Sequence, residues 1–397
     1  MQRLLNKHMV KKRLWEPTDE AIERPTKRRS SRYCNSAPVI RKKAKKRKLS
    51  KVLLPVDKSV ANKHVDARPV LRKRRKTNID NVCGDIQSYE PQRPRYKGLV
   101  NPKNNCYFNS VMQCLLHCPL AKLTIENVPE YALSPALREI RILFNRMTNN
   151  DALTSLLPYE CFKAVHNTRA CRSVQMGLHN RQEDVTEFLA KLLEHFEEHL
   201  IPIDDVIHLP YVFNIQISYA VFCRQCTYSN VSKEYLRLLS LQLPFPHNEE
   251  AADSIPQELN VYSLLDSYHS AENLDEHPCC QCRFTGGTEK KLKIINTPEL
   301  LLIHLSRFTN DHLKIHTFVK FPTELSTGYI RDGNGQQRRY RLTGMIRHIG
   351  ASIERGHYIA YMHISGNWYE ANDSHIRELS WDTVRALQAY VLFYERI

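Results

Sequence analysis

Gly98 to Gln113 reads GLVNPKNNCYFNSVMQ. An asparagine-rich loop broken by Pro102 leads into a segment, Asn105 to Cys118, whose apolar residues recur at helical spacing. Val111, Met112, Leu115 and Leu116 line one side of that helix. Cys106 falls where the helix begins. Free amides and the positive end of the helix dipole favour negative charge there and lower a thiol's pKa, which suits a nucleophile. Inert buried cysteines are also common, so the position alone leaves both readings open.

Outward from this segment the helical pattern continues. Ser134-Pro135 reads as a cap followed by proline in the first helical position, opening a helix through Met147. Gln182 to His199 reads as a third helix, with Val185, Phe188, Leu189, Leu192 and Phe196 on one face. The later half alternates instead, at Phe213 to Phe222, Leu300 to Leu305, Tyr340 to Met345, His357 to Ile364 and Ala389 to Tyr394. Helices first and antiparallel-type strands later predict an α+β body.

A cysteine nucleophile needs a histidine to take its proton, and that histidine needs an orienting carboxylate or amide. Among the 18 histidines, His357 has this context. It opens a strand, and Asn372-Asp373 follows after a hairpin that sets the two strands side by side.

The chain has 397 residues, 42% of them hydrophobic, which is ample for one large domain. No apolar run approaches the ~20 residues of a membrane span, so no membrane partner is expected. The start, MQRLLNKHMVKKRLW, has no secretory pattern, and a reducing compartment is expected. The net charge of +16 is uneven. Residues 1–97 hold 29 basic and 9 acidic side chains, whereas 98–397 hold 29 and 33. Lys27-Arg28-Arg29, Arg41 to Lys48 and Arg72 to Lys76 form dense clusters between prolines. Residues 1–92 therefore read as a disordered basic tail, and 93–397 as the folded domain. Such clusters suit nuclear import receptors, or nucleic acid and chromatin; a solvated tail without a specific partner is the plainer alternative.

Cys223-x-x-Cys226 and Cys279-x-x-Cys282, 52 residues apart, read as two knuckles of one structural Zn2+ site with four thiolates and no open position. Cys280 breaks the spacing, and His277 reads as a loop residue.

The quoted stretch resembles the cysteine box of the ubiquitin-specific proteases, G-L-x-N-x-G-N-T-C-Y-M-N-S-x-x-Q. Gly356 to Tyr361 (GHYIAY), Trp368 to Asp373 (WYEAND) and Ala389 to Tyr394 (AYVLFY) resemble the histidine box and last strand of that family. Gln182 to Leu189 (QEDVTEFL), Pro298 to Phe308 (PELLLIHLSRF) and Val319 to Leu325 (VKFPTEL) are similar to its intervening motifs, in the family's order.

The resemblance implies a papain-like right hand with helical thumb, β-rich palm and zinc-bearing fingers inserted at about 210–295. It implies a deubiquitinase hydrolysing isopeptide or peptide bonds at the C-terminal glycine of ubiquitin. Cys106 becomes the nucleophile, His357 the base, Asn372 its orienting residue, Asp373 an aid to polarisation and Asn101 an oxyanion donor. Gln182, Asp184 and Tyr358 become contacts for ubiquitin's extended tail, although Asp184 and Glu187 also suit the first turn of a helix. Loops at about 309–317 and 353–356 become gates. Lys103 and Asn105 depart from the family's glycine and threonine, in a loop where glycine permits unusual backbone angles. They leave room for a weak or inactive ubiquitin-binding scaffold, and a protease for another ubiquitin-like modifier is the further alternative. Ubiquitin and ubiquitinated proteins are the expected partners. The nucleus, including the nucleolus, and the cytoplasm are the expected locations.

Overall fold

The computed structural model describes residues 96–172, 182–199, 210–245, 258–353 and 355–397. The basic tail at 1–92 lies outside the described residues. The labelled elements begin with helices α1 (Cys106–His117), α2 (Pro135–Thr148), α3 (Tyr159–His166) and α4 (Val185–His199), and a further helix, Pro119–Glu126, follows α1 directly. Strands β1 (Ile215–Cys223), β2 (Ser229–Leu236) and β3 (Leu239–Gln242) follow, then helix α5 (Val261–His269). Strands β4 (Thr288–Asn296), β5 (Leu300–Ser306), β6 (Tyr340–Ser352) and β7 (Arg355–Ile364) come next. Strands β8 (Asn367–Asn372), β9 (His375–Leu379) and β10 (Val391–Arg396) complete the set. The class is α+β, as the change of periodicity predicts.

Helix α1 is buried on every side from Cys106 to Leu116, not along one stripe. It is the central helix of the domain, packed against α4 and against strands β6 and β7. In α2, Ser134 Oγ accepts from Leu137 N at 3.2 Å, with Pro135 in the first turn, so the predicted start holds. Helix α4 begins at Val185, three residues later than its periodicity predicts. Asp184 Oδ1 accepts from the amides of Thr186 (2.7 Å) and Glu187 (3.2 Å) and caps the helix there.

The large sheet runs β9-β8-β7-β6-β10-β5-β3, with Glu324–Leu325 added beside β6. Neighbours are antiparallel except β3 and β5, which are parallel. The helices cover one face of this sheet, with Leu300, Leu302 and Phe393 in that core. Helix α5 and the loops cover the other, with Leu301, Ile303 and Leu392. Burial on both faces explains the unbroken run LLLI in β5. Several strand limits move by a few residues: β1 starts at Ile215 because Pro210–Phe213 forms a helical turn, β6 continues to Ser352, and β10 starts at Val391.

A second sheet, ordered β2-β1-β4 with Glu272–Asn273 at the far edge, carries the cysteine knuckles at its tip. The stretch 210–295 is not one continuous insertion. Its middle part, β3 and α5, returns to the large sheet and its core. Among the described residues no helix is long and apolar enough to cross a membrane.

Candidate active site

Cys106 is the first residue of α1 and is 2% exposed. The preceding loop is closed by Asn105 N, which donates to Asn101 Oδ1 at 2.7 Å. The one left-handed residue of this loop is Asn104, at φ 54°. Asparagine adopts that region more readily than other non-glycine residues. Lys103, which replaces the family's glycine, is exposed and needs no unusual angle, so this departure does not distort the loop.

The expectation that the helix start lowers the thiol's pKa is overturned. Burial pushes Cys106 up to about 11, and the Asp373 carboxylate adds to the rise; hydrogen bonds from the backbone at Tyr358, Tyr107 and Cys106 oppose it only in part. The balance favours the thiol over the thiolate in the substrate-free site.

His357 Nε2 lies 2.7 Å from Asn372 Oδ1. An amide oxygen only accepts, so Nε2 carries the proton and Nδ1 keeps the lone pair a thiol proton needs. The pairing of β7 with β8 sets Ala360 opposite Ala371. One step further puts Asn372 opposite Ile359, and His357 is on the same face two residues along.

Asp373 follows in the left-handed conformation, at φ 50°. Its Oδ2 lies 3.8 Å from His357 Nε2 and accepts from Asn101 Nδ2 at 2.9 Å. Its Oδ1 accepts from Asn109 Nδ2 at 2.8 Å, and that amide also reaches the Leu99 carbonyl at 3.1 Å. Leu99 N in turn donates to the Asp373 carbonyl at 2.8 Å. Gly98 is needed here for space, since a Cβ on it would lie 2.3 Å from the Ser374 carbonyl. Asn101, Cys106, His357, Asn372 and Asp373 are thus linked in one neighbourhood through short hydrogen bonds and adjacent backbone. Asn101 has one amide N–H on Asp373 and a second left over.

The three residues expected along a substrate tail have different placements. Gln182 Nε2 lies 3.8 Å from Cys106 Sγ, and its Oε1 accepts from Gly356 N at 2.5 Å. It therefore bridges the nucleophile helix and the strand of the base. Asp184 is committed elsewhere: Oδ1 caps α4 and accepts from the Thr186 hydroxyl, while Oδ2 accepts from Tyr390 Oη at 2.6 Å. Tyr358 is 1% exposed, packed beside His348 and Tyr390, so its side chain is part of the core.

Sequence reading missed three residues that hold the site and the loop beside it. Asn109 fixes Asp373; its signal was an amide inside a buried helix. Arg307 is 1% exposed and donates to the carbonyls of Ala389 (2.6 Å), Thr317 (2.8 Å) and Ile315 (3.2 Å). Lys314 Nζ reaches His348 Nδ1 (3.0 Å) and the carbonyls of His348 (3.0 Å) and Gly350 (2.8 Å). These contacts anchor the expected gate at 309–317. At the other gate, Arg355 and Gly356 already belong to strand β7.

The four expected zinc ligands converge, with every sulfur within 4.8 Å of the others. Cys223 and Cys282 are 3.7 Å apart, as are Cys226 and Cys279. Zn–S bonds of ~2.3 Å in a tetrahedron require sulfurs about 3.8 Å apart, so the set fits Zn2+. The amides of Gln225, Tyr228 and Gln281 each donate to a cysteine sulfur at 3.4 Å, which favours thiolates. Cys280 is exposed and outside the cluster, and His277 stays in its loop.

The profile described as ubiquitin carboxyl-terminal hydrolase matches residues 97–394. The chain belongs to that family. It is by membership a cysteine-type ubiquitin carboxyl-terminal hydrolase. Ubiquitin carboxyl-terminal hydrolase 8 of Saccharomyces cerevisiae is 26% identical over 79% of this chain and 74% of its own length. Ubiquitin carboxyl-terminal hydrolase 20 of Arabidopsis thaliana is 29% identical over 79% of this chain and 45% of its own. Ubiquitin carboxyl-terminal hydrolase 36 of Drosophila melanogaster is 26% identical over 75% of this chain and 30% of its own. The chain therefore spans less than half the length of these plant and fly relatives. In fold, the family member resembles the SAGA DUB module Ubp8/Sgf11/Sus1/Sgf73 bound to monoubiquitin, with TM-score 0.59 and 24% identity over 77% of this chain and 70% of that one.

Proposed function

We propose that the protein is an active deubiquitinase that cleaves the isopeptide or peptide bond after the C-terminal glycine of ubiquitin. The observation that carries this is the His357–Asn372 pair, which leaves the lone pair on Nδ1, with the Cys106 sulfur hydrogen-bonded by the backbone of the next residue, Tyr358. A protein of similar fold is seen bound to monoubiquitin, which supports ubiquitin as the partner.

In this reading His357 Nδ1 takes the Cys106 proton as the sulfur attacks the glycine carbonyl carbon. The carbonyl electrons move to oxygen, and the resulting oxyanion is met by the second N–H of Asn101 and by amides at the start of α1. Collapse re-forms the carbonyl and breaks the C–N bond, with His357 giving its proton to the departing amine. Water, deprotonated by His357, then attacks the thioester and releases the ubiquitin carboxylate and the thiol. Asn372 keeps the ring in one tautomer throughout. Because burial favours the protonated thiol, proton transfer to His357 Nδ1 accompanies the attack. The four-cysteine site supplies structural closure of the small sheet when zinc is bound and takes no part in these steps.

The basic tail supports a nuclear and nucleolar location with some protein in the cytoplasm, through import receptors, and contact with chromatin or nucleic acid. Replacing the clusters at 27–29, 41–48 and 72–76 with glutamine in the full chain tests this by microscopy; unchanged nuclear signal contradicts it. The enzymatic reading is tested by hydrolysis of isopeptide-linked diubiquitin, expected for the native chain and lost in Cys106→Ala. A folded, zinc-loaded protein that leaves diubiquitin intact contradicts it.

A further inference from the structure

The end of α4 reads His195-Phe196-Glu197-Glu198-His199. Residues four apart on a helix share a face, so both imidazoles and the Glu198 carboxylate point the same way. One donor atom from each of His195, Glu198 and His199 lies within 4.8 Å of the other two, and the two rings are 4.1 Å apart.

The hydrogen bonds around the two rings are those of metal ligands. His195 Nε2 is 2.8 Å from Ser134 Oγ, the oxygen that also caps α2. In the tautomer in which Nε2–H donates to Ser134 Oγ, Nδ1 is left as a bare acceptor. That atom is fully enclosed in a residue 3% exposed, and among the described residues it has no hydrogen-bond partner. A buried acceptor without a partner is costly, and a cation is one group that satisfies it. His199 is arranged the other way round: Nδ1 meets the His195 carbonyl at 3.1 Å, which leaves Nε2 with the lone pair. A ligating histidine almost always donates its second ring N–H to an oxygen in this manner. Two imidazoles and one carboxylate suit Zn2+ with a fourth, open position, unlike the closed set of four cysteines.

We propose that His195, Glu198 and His199 form a second site for a divalent transition ion, Zn2+ by its donor set, separate from the four-cysteine cluster and from Cys106. Through Ser134 the ion ties the end of α4 to the start of α2. Asp184 caps the other end of helix α4 and Gln182 lies two residues before that cap, so the site stiffens the element that leads to the nucleophile.

The test uses the full chain with its cysteine site already zinc-loaded. Titration with Co2+ is expected to add one equivalent, showing the weak visible bands of a nitrogen–oxygen set and no new thiolate charge-transfer band. Zinc displaces this cobalt and raises the melting temperature. His199→Ala, at a half-buried position, abolishes the second equivalent while leaving the cysteine-bound zinc. Glu198→Gln, at an exposed position, weakens uptake at least about tenfold and decides the matter if the histidine variant does not fold. No second equivalent in the native chain, or uptake unchanged in both variants, overturns the proposal.

Discussion

Asn101 and Asp373, 272 residues apart in the chain, are joined by a 2.9 Å hydrogen bond from the amide to the carboxylate. The same carboxylate lies 3.8 Å from the ring of His357 and is held from behind by Asn109. Asp373 is therefore the residue through which the loop before the nucleophile and the hairpin of the base are kept in register.

Asn101→Ala is expected to lower kcat by about 10²–10³-fold, the usual effect of losing one oxyanion donor. Asp373→Ala should cost about 10²-fold through misplacement of the same amide. In both variants KM for a ubiquitin C-terminal amide changes little. Steady-state kinetics check this; a rise in KM with kcat preserved assigns both residues to substrate binding instead.

The left-handed angle at Asn104 gives a contrast with its neighbour. Asn104→Val should destabilise the fold by roughly 1–2 kcal/mol, the cost of that conformation for a residue with a branched Cβ. Lys103→Gly should leave activity within a few-fold of the native value. Urea unfolding and a turnover assay measure the two, and strong activation by Lys103→Gly would restore the idea of a loop detuned by its lysine.

The raised thiol has a defined pH signature. Its folded pKa, about 11, lies above its ordinary value, so folding favours the protonated form. This contribution to stability is complete below the ordinary value and is lost as pH rises from there through about 11. Over the same window, alkylation of Cys106 by iodoacetamide in the substrate-free enzyme should climb. Peptide mass spectrometry follows the site, and a rate already flat from neutral pH contradicts the resting thiol.

Much of this was legible beforehand. The helix start at Cys106, the cap at Ser134 and the core face of α4 follow from spacing and local chemistry alone, and the two knuckles from their intervals. What escaped depended on distant partners. Nothing local in Asn109 shows that it will hold a carboxylate 264 residues away. Asp184 has the residue type of a substrate contact, but nothing local shows that it also caps α4 and accepts from Tyr390, 206 residues away. The thiol was misjudged because a helix start lowers a pKa locally, whereas burial is a property of the whole packing.

Removing zinc with a strong chelator should unfold the tip of the small sheet and lower the melting temperature. Cys226→Ser should reproduce the loss, while Cys280→Ser retains the metal because that sulfur lies outside the cluster. Metal content by elemental analysis checks each. Loss of zinc in Cys280→Ser alone would reassign the ligands.

The most direct measurement is reaction of the full chain with ubiquitin whose C-terminal carboxylate is replaced by an electrophile. A covalent adduct on Cys106 is expected, mapped by peptide mass spectrometry, absent in Cys106→Ala and slowed in Asn372→Ala. A folded, zinc-loaded chain that forms no adduct, or one attached to a different cysteine, contradicts that expectation.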